Sequence, residues 1–241
     1  MNITPFTPCE RCKDSCAPEG YLYVKIANSP LAIKECECRI AWRNKEKLRL
    51  DASKANLWFT ESIVNYDPLK DYLGTKSLKN VNNLKKYLDN IEDQRFSSAS
   101  IYMWGPNGTQ KTYLAQWLGL ELLKKKLKVK YLLMNQLIKD ISSTFESDPL
   151  LIAKKEEYLN VDVLILDESF SKDKITLYKS GYQIPFLDSF LRERIDTLQK
   201  GVVFVSNTSQ DKIASQLFLD SIQDQILRKT KPVNSVFEMN D

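Results

Sequence analysis

The chain has 241 residues, 43% of them apolar, and a net charge of +4, enough for one α/β core of ordinary size with a small appendage. It contains no histidine, which excludes histidine acid–base catalysis and leaves any zinc site to cysteine or carboxylate ligands. The longest aliphatic runs, such as Val163-Leu164-Ile165-Leu166, are of strand length, and Met1 to Cys12 has neither a basic start nor an apolar stretch, so neither export nor a membrane partner is expected.

All five cysteines, Cys9, Cys12, Cys16, Cys36 and Cys38, lie in the first 38 residues. Cys9-Glu10-Arg11-Cys12 is a C-x2-C knuckle, and Cys36-Glu37-Cys38 returns after Tyr21 to Ile33, which reads as a short hairpin. Four thiolates from two knuckles suit tetrahedral Zn2+. The odd count, the lack of a secretion signal and the tight C-x-C pair count against a disulfide framework. Cys16 is left over, with replacement of Cys12 as its alternative role. So few residues can hardly make a core, so residues 1–40 are expected to draw their folding energy from the metal, on the order of 10–16 kcal/mol of apparent binding. The module reads as structural, a docking surface and not a catalytic centre. Arg11, Lys13, Lys34 and Arg39 around it suit nucleic acid or an acidic protein, and equally ordinary solvated charge.

Residues 41–60 read as a charged helical linker, with Arg43 to Arg49 leading into Leu57-Trp58-Phe59. Residues 61–241 form the expected core. Leu78, Val81, Leu84, Leu88 and Ile91 recur at helical spacing and predict an amphipathic helix that ends before the polar stretch from Gln94.

The apolar run Ile101-Tyr102-Met103 then leads into Gly105-Pro106-Asn107-Gly108-Thr109-Gln110-Lys111-Thr112-Tyr113. A strand, a glycine turn and a helix start let backbone N–H groups and a helix N-terminus wrap a phosphate chain. The usual pattern has glycine directly before the lysine, where this chain has Gln110. Leu114, Trp117, Leu118 and Leu122 continue the helix. Lys124 to Lys128 closes it, as solvated cations at a helix end or as a nucleic-acid contact, before a strand from Val129 to Leu133.

Gln136 to Tyr158 reads as helical and polar. Val161-Asp162-Val163-Leu164-Ile165-Leu166-Asp167-Glu168 then predicts a buried strand with two acids at its end, the first able to hold Mg2+ and the second to polarise a water. Phe186, Leu187, Phe190, Leu191, Ile195 and Leu198 predict a helix carrying Arg192 and Arg194 away from most of its apolar face, one of them free to reach a neighbouring subunit. Val202 to Ser206 predicts a further strand, ending at Asn207 where a γ-phosphate sensor belongs.

This ordered set resembles the DnaC/DnaI-type helicase loaders, ATPases of the AAA+ initiator group, and their relatives the IstB-type transposition helpers. The resemblance rests on Cys9-x2-Cys12-Lys13-Asp14 with Cys36-x-Cys38-Arg39, on Gly105 to Ala115, on Leu164-Ile165-Leu166-Asp167-Glu168 and on Val205-Ser206-Asn207. It implies an α/β AAA+ P-loop core with a mostly parallel sheet and no full helical lid, since 34 residues follow Asn207. It assigns the β- and γ-phosphates of ATP to Lys111, Mg2+ to Thr112 and Asp167, the attacking water to Glu168 and sensing to Asn207. The family's trans-acting arginine has Gln225 in its place here, leaving Arg228 as substitute, with Arg194 and Arg192 behind it. Together with Gln110 this implies slow or partner-dependent hydrolysis.

The implied function is ATP-dependent loading of a replicative DNA helicase gripped by the zinc module, with single-stranded DNA bound near Lys139 and Lys124 to Lys130 and with self-association on ATP binding. The implied setting is the bacterial cytoplasm, a phage genome being one source. The alternatives are an IstB-type transposition-helper ATPase and a nonhydrolysing nucleotide-switch adaptor.

Overall fold

Strands that are buried on both faces need apolar residues at every position, not at alternate ones. Val163-Leu164-Ile165-Leu166 and Val202-Val203-Phe204-Val205 satisfy that need, and all eight residues are buried. The computed structural model describes residues 5–13, 19–24, 32–71, 78–142, 148–170, 184–213, 222–224 and 236–239. It divides into two compact units, Met1–Ser53 and Lys54–Asp241.

In the first unit a single turn α1 (Glu10–Lys13) precedes β1 (Tyr21–Val24) and β2 (Ala32–Glu35). The two strands pair antiparallel with Tyr21 opposite Glu35, the hairpin expected from the sequence. The long helix α2 follows (Glu37–Lys54). With so little aliphatic material, the unit packs aromatics against an arginine. The Arg39 guanidinium lies 4.8 Å from the Tyr21 ring centre and 5.4 Å from that of Phe6, and Phe6 meets Trp42 edge-on at 5.7 Å.

The second unit opens with α3 (Glu61–Val64), α4 (Pro68–Asp71), α5 (Leu78–Asp89) and α6 (Gln94–Ser97). Helix α5 buries Val81, Leu84, Tyr87 and Leu88. It is shorter than its predicted stripe: Leu78 is exposed at its start, and Ile91 is buried beyond its end. Then come β3 (Ile101–Trp104), α7 (Lys111–Lys124), β4 (Val129–Leu133), α8 (Met134–Ser142), α9 (Pro149–Asn160), β5 (Val163–Ser169) and α10 (Ile184–Arg192), which runs into a π-helical turn over Glu193–Thr197. Strands β6 (Val202–Ser206) and β7 (Val236–Glu238) complete the order. The stretch predicted as one polar helix from Gln136 to Tyr158 is therefore two helices. The first is not polar on its inner face, where Leu137, Ile138 and Ile141 are buried.

Among the described residues the five core strands are parallel, in the order β4-β5-β6-β3-β7. Tyr102, Leu164, Leu166, Val202 and Phe204 belong to one buried cluster with Leu137, Ile138 and Ile141 of α8 and Leu187, Phe190 and Leu191 of α10. Helix α7 also packs on the sheet, against β4, β5 and β6.

Strand β6 lies between the strand that feeds the glycine turn and the strand that carries the acids. The C-terminal edges of β3, β6 and β5 therefore stand side by side, so the glycine turn, Asn207 and the acids emerge together. β7 was not foreseen. It adds to β3 with Tyr102 opposite Val236, and Asn80 of α5 donates to the Glu238 carbonyl at 2.6 Å.

Candidate nucleotide and metal sites

The turn from β3 to α7 depends on backbone conformations that ordinary residues avoid. A side chain at Gly105 would collide with the Met239 carbonyl oxygen, which stands well inside contact distance of where a Cβ would be. Gly108 has φ +88° in open space, so it is needed for conformation alone. Gln110 stands in the left-handed region at φ +56°, ψ 18°, the physical reason a glycine suits this position. Its side-chain oxygen is buried with no hydrogen-bond partner. Helix α7 starts without a side-chain cap, which leaves its first N–H groups for an anion.

Lys111 is buried, and its ammonium donates to the carbonyls of Gly105 at 2.8 Å and Pro106 at 2.6 Å and to Thr109 Oγ1 at 3.2 Å. The lysine lies folded on the loop where phosphate oxygens would compete for it. One residue on, the Thr112 hydroxyl donates to Asp167 Oδ2 at 2.8 Å. Asp167 is buried and accepts two further bonds, from the Tyr131 hydroxyl to Oδ2 at 2.5 Å and from the Glu168 N–H to Oδ1 at 2.7 Å. Burial, and then the Asp167 charge, pushes the Tyr131 phenol well above its ordinary range, so it stays a donor. A hydroxyl beside a held carboxylate is an oxygen donor set suited to Mg2+.

Glu168 is exposed with φ +52°. It lies where the pairing of β5 with β6 slips between Leu166 and Ser169, and this irregularity is braced from behind. Ser206 Oγ donates to the Ser169 carbonyl at 2.5 Å, Thr208 Oγ1 to the Phe170 carbonyl at 2.9 Å, and the Tyr102 hydroxyl to the Thr208 carbonyl at 2.8 Å. The ends of β5 and β6 are thus tied to each other. Asn207 projects from them and donates to Asn107 Oδ1 of the loop at 2.8 Å.

Asn107, Lys111, Thr112, Asp167, Glu168 and Asn207 all line one cavity of about 370 Å3, together with Trp58 and Tyr113. That volume is within the range of small-molecule sites. Sequence reasoning missed two residues of the site, Tyr131 bonded to Asp167 and Trp58 on the cavity wall. Tyr131 sits inside an unremarkable strand, with no local signal that its hydroxyl reaches an acid 36 residues away. Trp58 read only as part of a linker.

The arginines separate. Arg194 is fully buried, donating to the carbonyls of Tyr158, Leu159, Asp162 and Gly201 at 2.8 to 3.2 Å. It therefore cannot reach a neighbouring subunit, which corrects the expectation. Burial draws its guanidinium down to about 9, still charged at pH 7. Arg192 is half exposed and bonded to Asp188 at 2.9 Å. Gln225 and Arg228 lie outside the described residues, as does Cys16.

Of the basic run, Lys124 pairs with Glu121 at 2.6 Å, and Lys130 binds Glu157 at 2.8 Å and the Lys54 carbonyl at 2.9 Å. Lys130 thereby ties elements of the fold together, while Lys125, Lys126 and Lys128 are exposed.

In the first unit the sulfurs of Cys9, Cys12, Cys36 and Cys38 all lie within 4.8 Å of one another. Three of the separations are 3.7 Å (Cys9 to Cys12), 3.7 Å (Cys9 to Cys36) and 3.4 Å (Cys12 to Cys38). Zn–S bonds of about 2.3 Å directed tetrahedrally place sulfurs about 3.8 Å apart, so the cluster fits the ion. The turn of α1 sets the first pair, with the N–H groups of Cys12 and Lys13 both donating to the Cys9 carbonyl at 3.1 and 2.9 Å. The Cys12 backbone, followed by the Cys38 thiol, pulls the Cys9 thiol down to about 7, toward the thiolate that a metal requires.

The family described as IstB-like ATP binding protein matches residues 35–178, more than half of the chain. No curated protein matches it. Among solved structures, DnaI is 16% identical, with 76% of this chain and 96% of that one covered and a TM-score of 0.57. The DnaC helicase loader is 16% identical over 74% of this chain and 96% of its own, at 0.58. The replication initiator DnaA bound to AMPPCP and single-stranded DNA is 17% identical over 74% of this chain and 49% of its own, at 0.57. At these identities the likeness is one of fold, an AAA+ P-loop core. Among the described residues, no helix is long and apolar enough to cross a membrane.

Proposed function

The chain belongs to the family of IstB-like ATP binding proteins, and from that premise we propose that it is an ATP-dependent loader of a replicative DNA helicase. The observation that carries the ATP switch is the convergence of Lys111, Thr112, Asp167, Glu168 and Asn207 on one cavity. Lys111 leaves the Gly105 and Pro106 carbonyls to meet the β- and γ-phosphates. The uncapped start of α7 and the backbone from Gly105 to Tyr113 surround them. Thr112 and Asp167 hold Mg2+, with Tyr131 fixing the carboxylate. When bound, the ion neutralises charge that builds on the transferred phosphate.

Glu168 orients the attacking water, and Asn207 reads the terminal phosphate by exchanging its bond to Asn107 for one to the ligand. Arg228 of a neighbouring copy is the substitute for the family's arginine, which makes turnover slow and dependent on ATP-driven self-association. Gln110 adds to that slowness because a glycine there would let the backbone approach the phosphates more closely than a residue with a side chain does.

The four-cysteine unit holds Zn2+ and docks the helicase, and the ATPase unit binds single-stranded DNA through its exposed lysines. Support for loading is the pairing of these two units in a chain whose fold resembles the helicase loader DnaC. Action in the bacterial cytoplasm accompanies that role. The family match itself favours a second reading, an IstB-type transposition helper that binds a transposase.

Mass photometry of the full chain with a hexameric replicative helicase or with a transposase, each with and without ATP, separates the two. A complex with the helicase that requires ATP supports loading. A complex formed only with the transposase replaces it, and an ATP-independent complex with either supports a nonhydrolysing adaptor.

A further inference from the structure

Most of the cavity wall is phosphate-loop backbone and polar side chains, yet two large aromatic side chains, Trp58 and Tyr113, open onto it. Trp58 is 47% exposed and lines the same cavity as the phosphate loop. Its position is held from both sides. The neighbouring Leu57 is buried and packs over Gly119 of α7, where a Cβ would stand 2.7 Å from Leu57 Cδ2. The Trp58 backbone N–H donates to Gln116 Oε1 at 2.8 Å, and Gln116 is fully buried.

Tyr113, three residues before Gln116 and on the same face of α7, meets the indole edge-on at 6.3 Å and 62°. Tyr66 in turn packs edge-on against Tyr113 at 4.8 Å. The ring is thus buttressed at its edge and, among the described residues, has no stacked aromatic neighbour. Both Trp58 and Tyr113 line the cavity that contains Lys111 and Asp167.

We propose that Trp58 is the platform on which the base of the bound nucleotide stacks, and that it gives the site a preference for purine over pyrimidine triphosphates. This rests on the nucleotide-binding reading and extends it to the far end of the ligand. Phosphates held at the start of α7 leave a nucleoside to extend along the wall beside Tyr113, toward the indole. Stacking reads the area of a π face and not its hydrogen-bonding pattern, so a two-ring base gains more than a one-ring base. ATP and GTP should therefore be separated less than ATP and CTP.

The test measures binding of ATP, CTP and inorganic tripolyphosphate, each with Mg2+, by calorimetry to the full chain and to its Trp58→Ala and Trp58→Phe variants. The expected result is an ATP Kd raised about 10-fold in Trp58→Ala and largely restored in Trp58→Phe. Tripolyphosphate binding stays unchanged throughout, and the ATP-over-CTP preference is lost in Trp58→Ala. Equal ATP affinity in the unaltered chain and Trp58→Ala overturns the proposal and leaves ATP binding intact.

ATP bound no better than tripolyphosphate by the unaltered chain also overturns it, and does so even if Trp58→Ala fails to fold. A chain that binds neither ligand removes the nucleotide-binding reading and this proposal together. If the indole instead serves a protein partner, Trp58→Ala weakens the helicase complex while ATP affinity is unmoved.

Discussion

Asn207 donates its side-chain amide to Asn107 Oδ1 across 2.8 Å, linking the tip of one strand to the glycine turn that extends from its neighbour in the sheet. A ligand that inserts its terminal phosphate between them would exchange this bond for two to itself. Asn207→Ala is expected to bind ATP within about threefold of the unaltered chain and to lose about 100-fold in single-turnover hydrolysis, as for removal of one donor to developing charge. A variant that hydrolyses at the original rate would show that Asn207 only braces the loop.

Gln110→Gly removes a left-handed backbone that costs a non-glycine residue roughly 1–2 kcal/mol and a buried oxygen without a partner. Part of that gain is returned through the greater freedom of glycine in the unfolded chain. The net expectation is about 1 kcal/mol of added stability, a rise in Tm of roughly 2–4 °C, with faster ATP turnover. Calorimetric melting and steady-state turnover measure both, and no change in rate would remove Gln110 as a cause of slow hydrolysis.

Tyr131→Phe deletes the hydroxyl bonded to Asp167 and leaves the ring. Losing an outer partner of a metal-binding carboxylate commonly costs 10–100-fold in metal affinity. The Mg2+ concentration for half-maximal ATP binding should rise at least about 10-fold, while ATP binding without Mg2+ stays the same. A Mg2+ titration that overlays the original contradicts a positioning role.

The cysteine cluster should carry one zinc per chain by elemental analysis, and Cys36→Ser with Cys38→Ser should abolish it. Thiolates are the ligands, so protons compete with the metal: zinc is retained at neutral pH and released as the solution is acidified. Far-ultraviolet dichroism of the isolated 54–241 unit, if it folds, should not respond to a chelator, whereas the full chain should lose part of its signal.

Arg194→Met leaves four carbonyls without their donor, at about 1–3 kcal/mol for each buried group that cannot rehydrate. A loss of more than about 3 kcal/mol in a denaturant titration is expected. Mixing Arg194→Met with Lys111→Ala subunits should give no complementation of activity of the kind a trans-acting arginine produces.

Much of the core was legible because its signals are local. An aliphatic run that ends in Gly105 and Gly108, or in Asp167 and Glu168, marks both a strand and the functional turn at its C-terminal edge within ten residues. Arg194 was misread because three of its four partners, Tyr158, Leu159 and Asp162, lie more than 30 residues upstream, and because the π turn over Glu193–Thr197 shifts the phase of a helical wheel just where the wheel was used. Strand β7 was invisible for a related reason. Phe237 and Met239 are buried and Glu238 is exposed, but three residues of alternation carry little weight until β3 supplies the pairing. At Gln110 the sequence marked the departure, and the positive φ supplied its cause.

The approach of Met239 to Gly105 also orders events in time. The Met239 N–H bonds the Trp104 carbonyl at 2.7 Å, at the entrance to the phosphate loop and 135 positions further along the sequence. During synthesis the loop, the acids and Asn207 all leave the ribosome before the segment that seats against Gly105. A growing chain therefore leaves Gly105 without the Met239 backbone that packs against it until that residue has emerged.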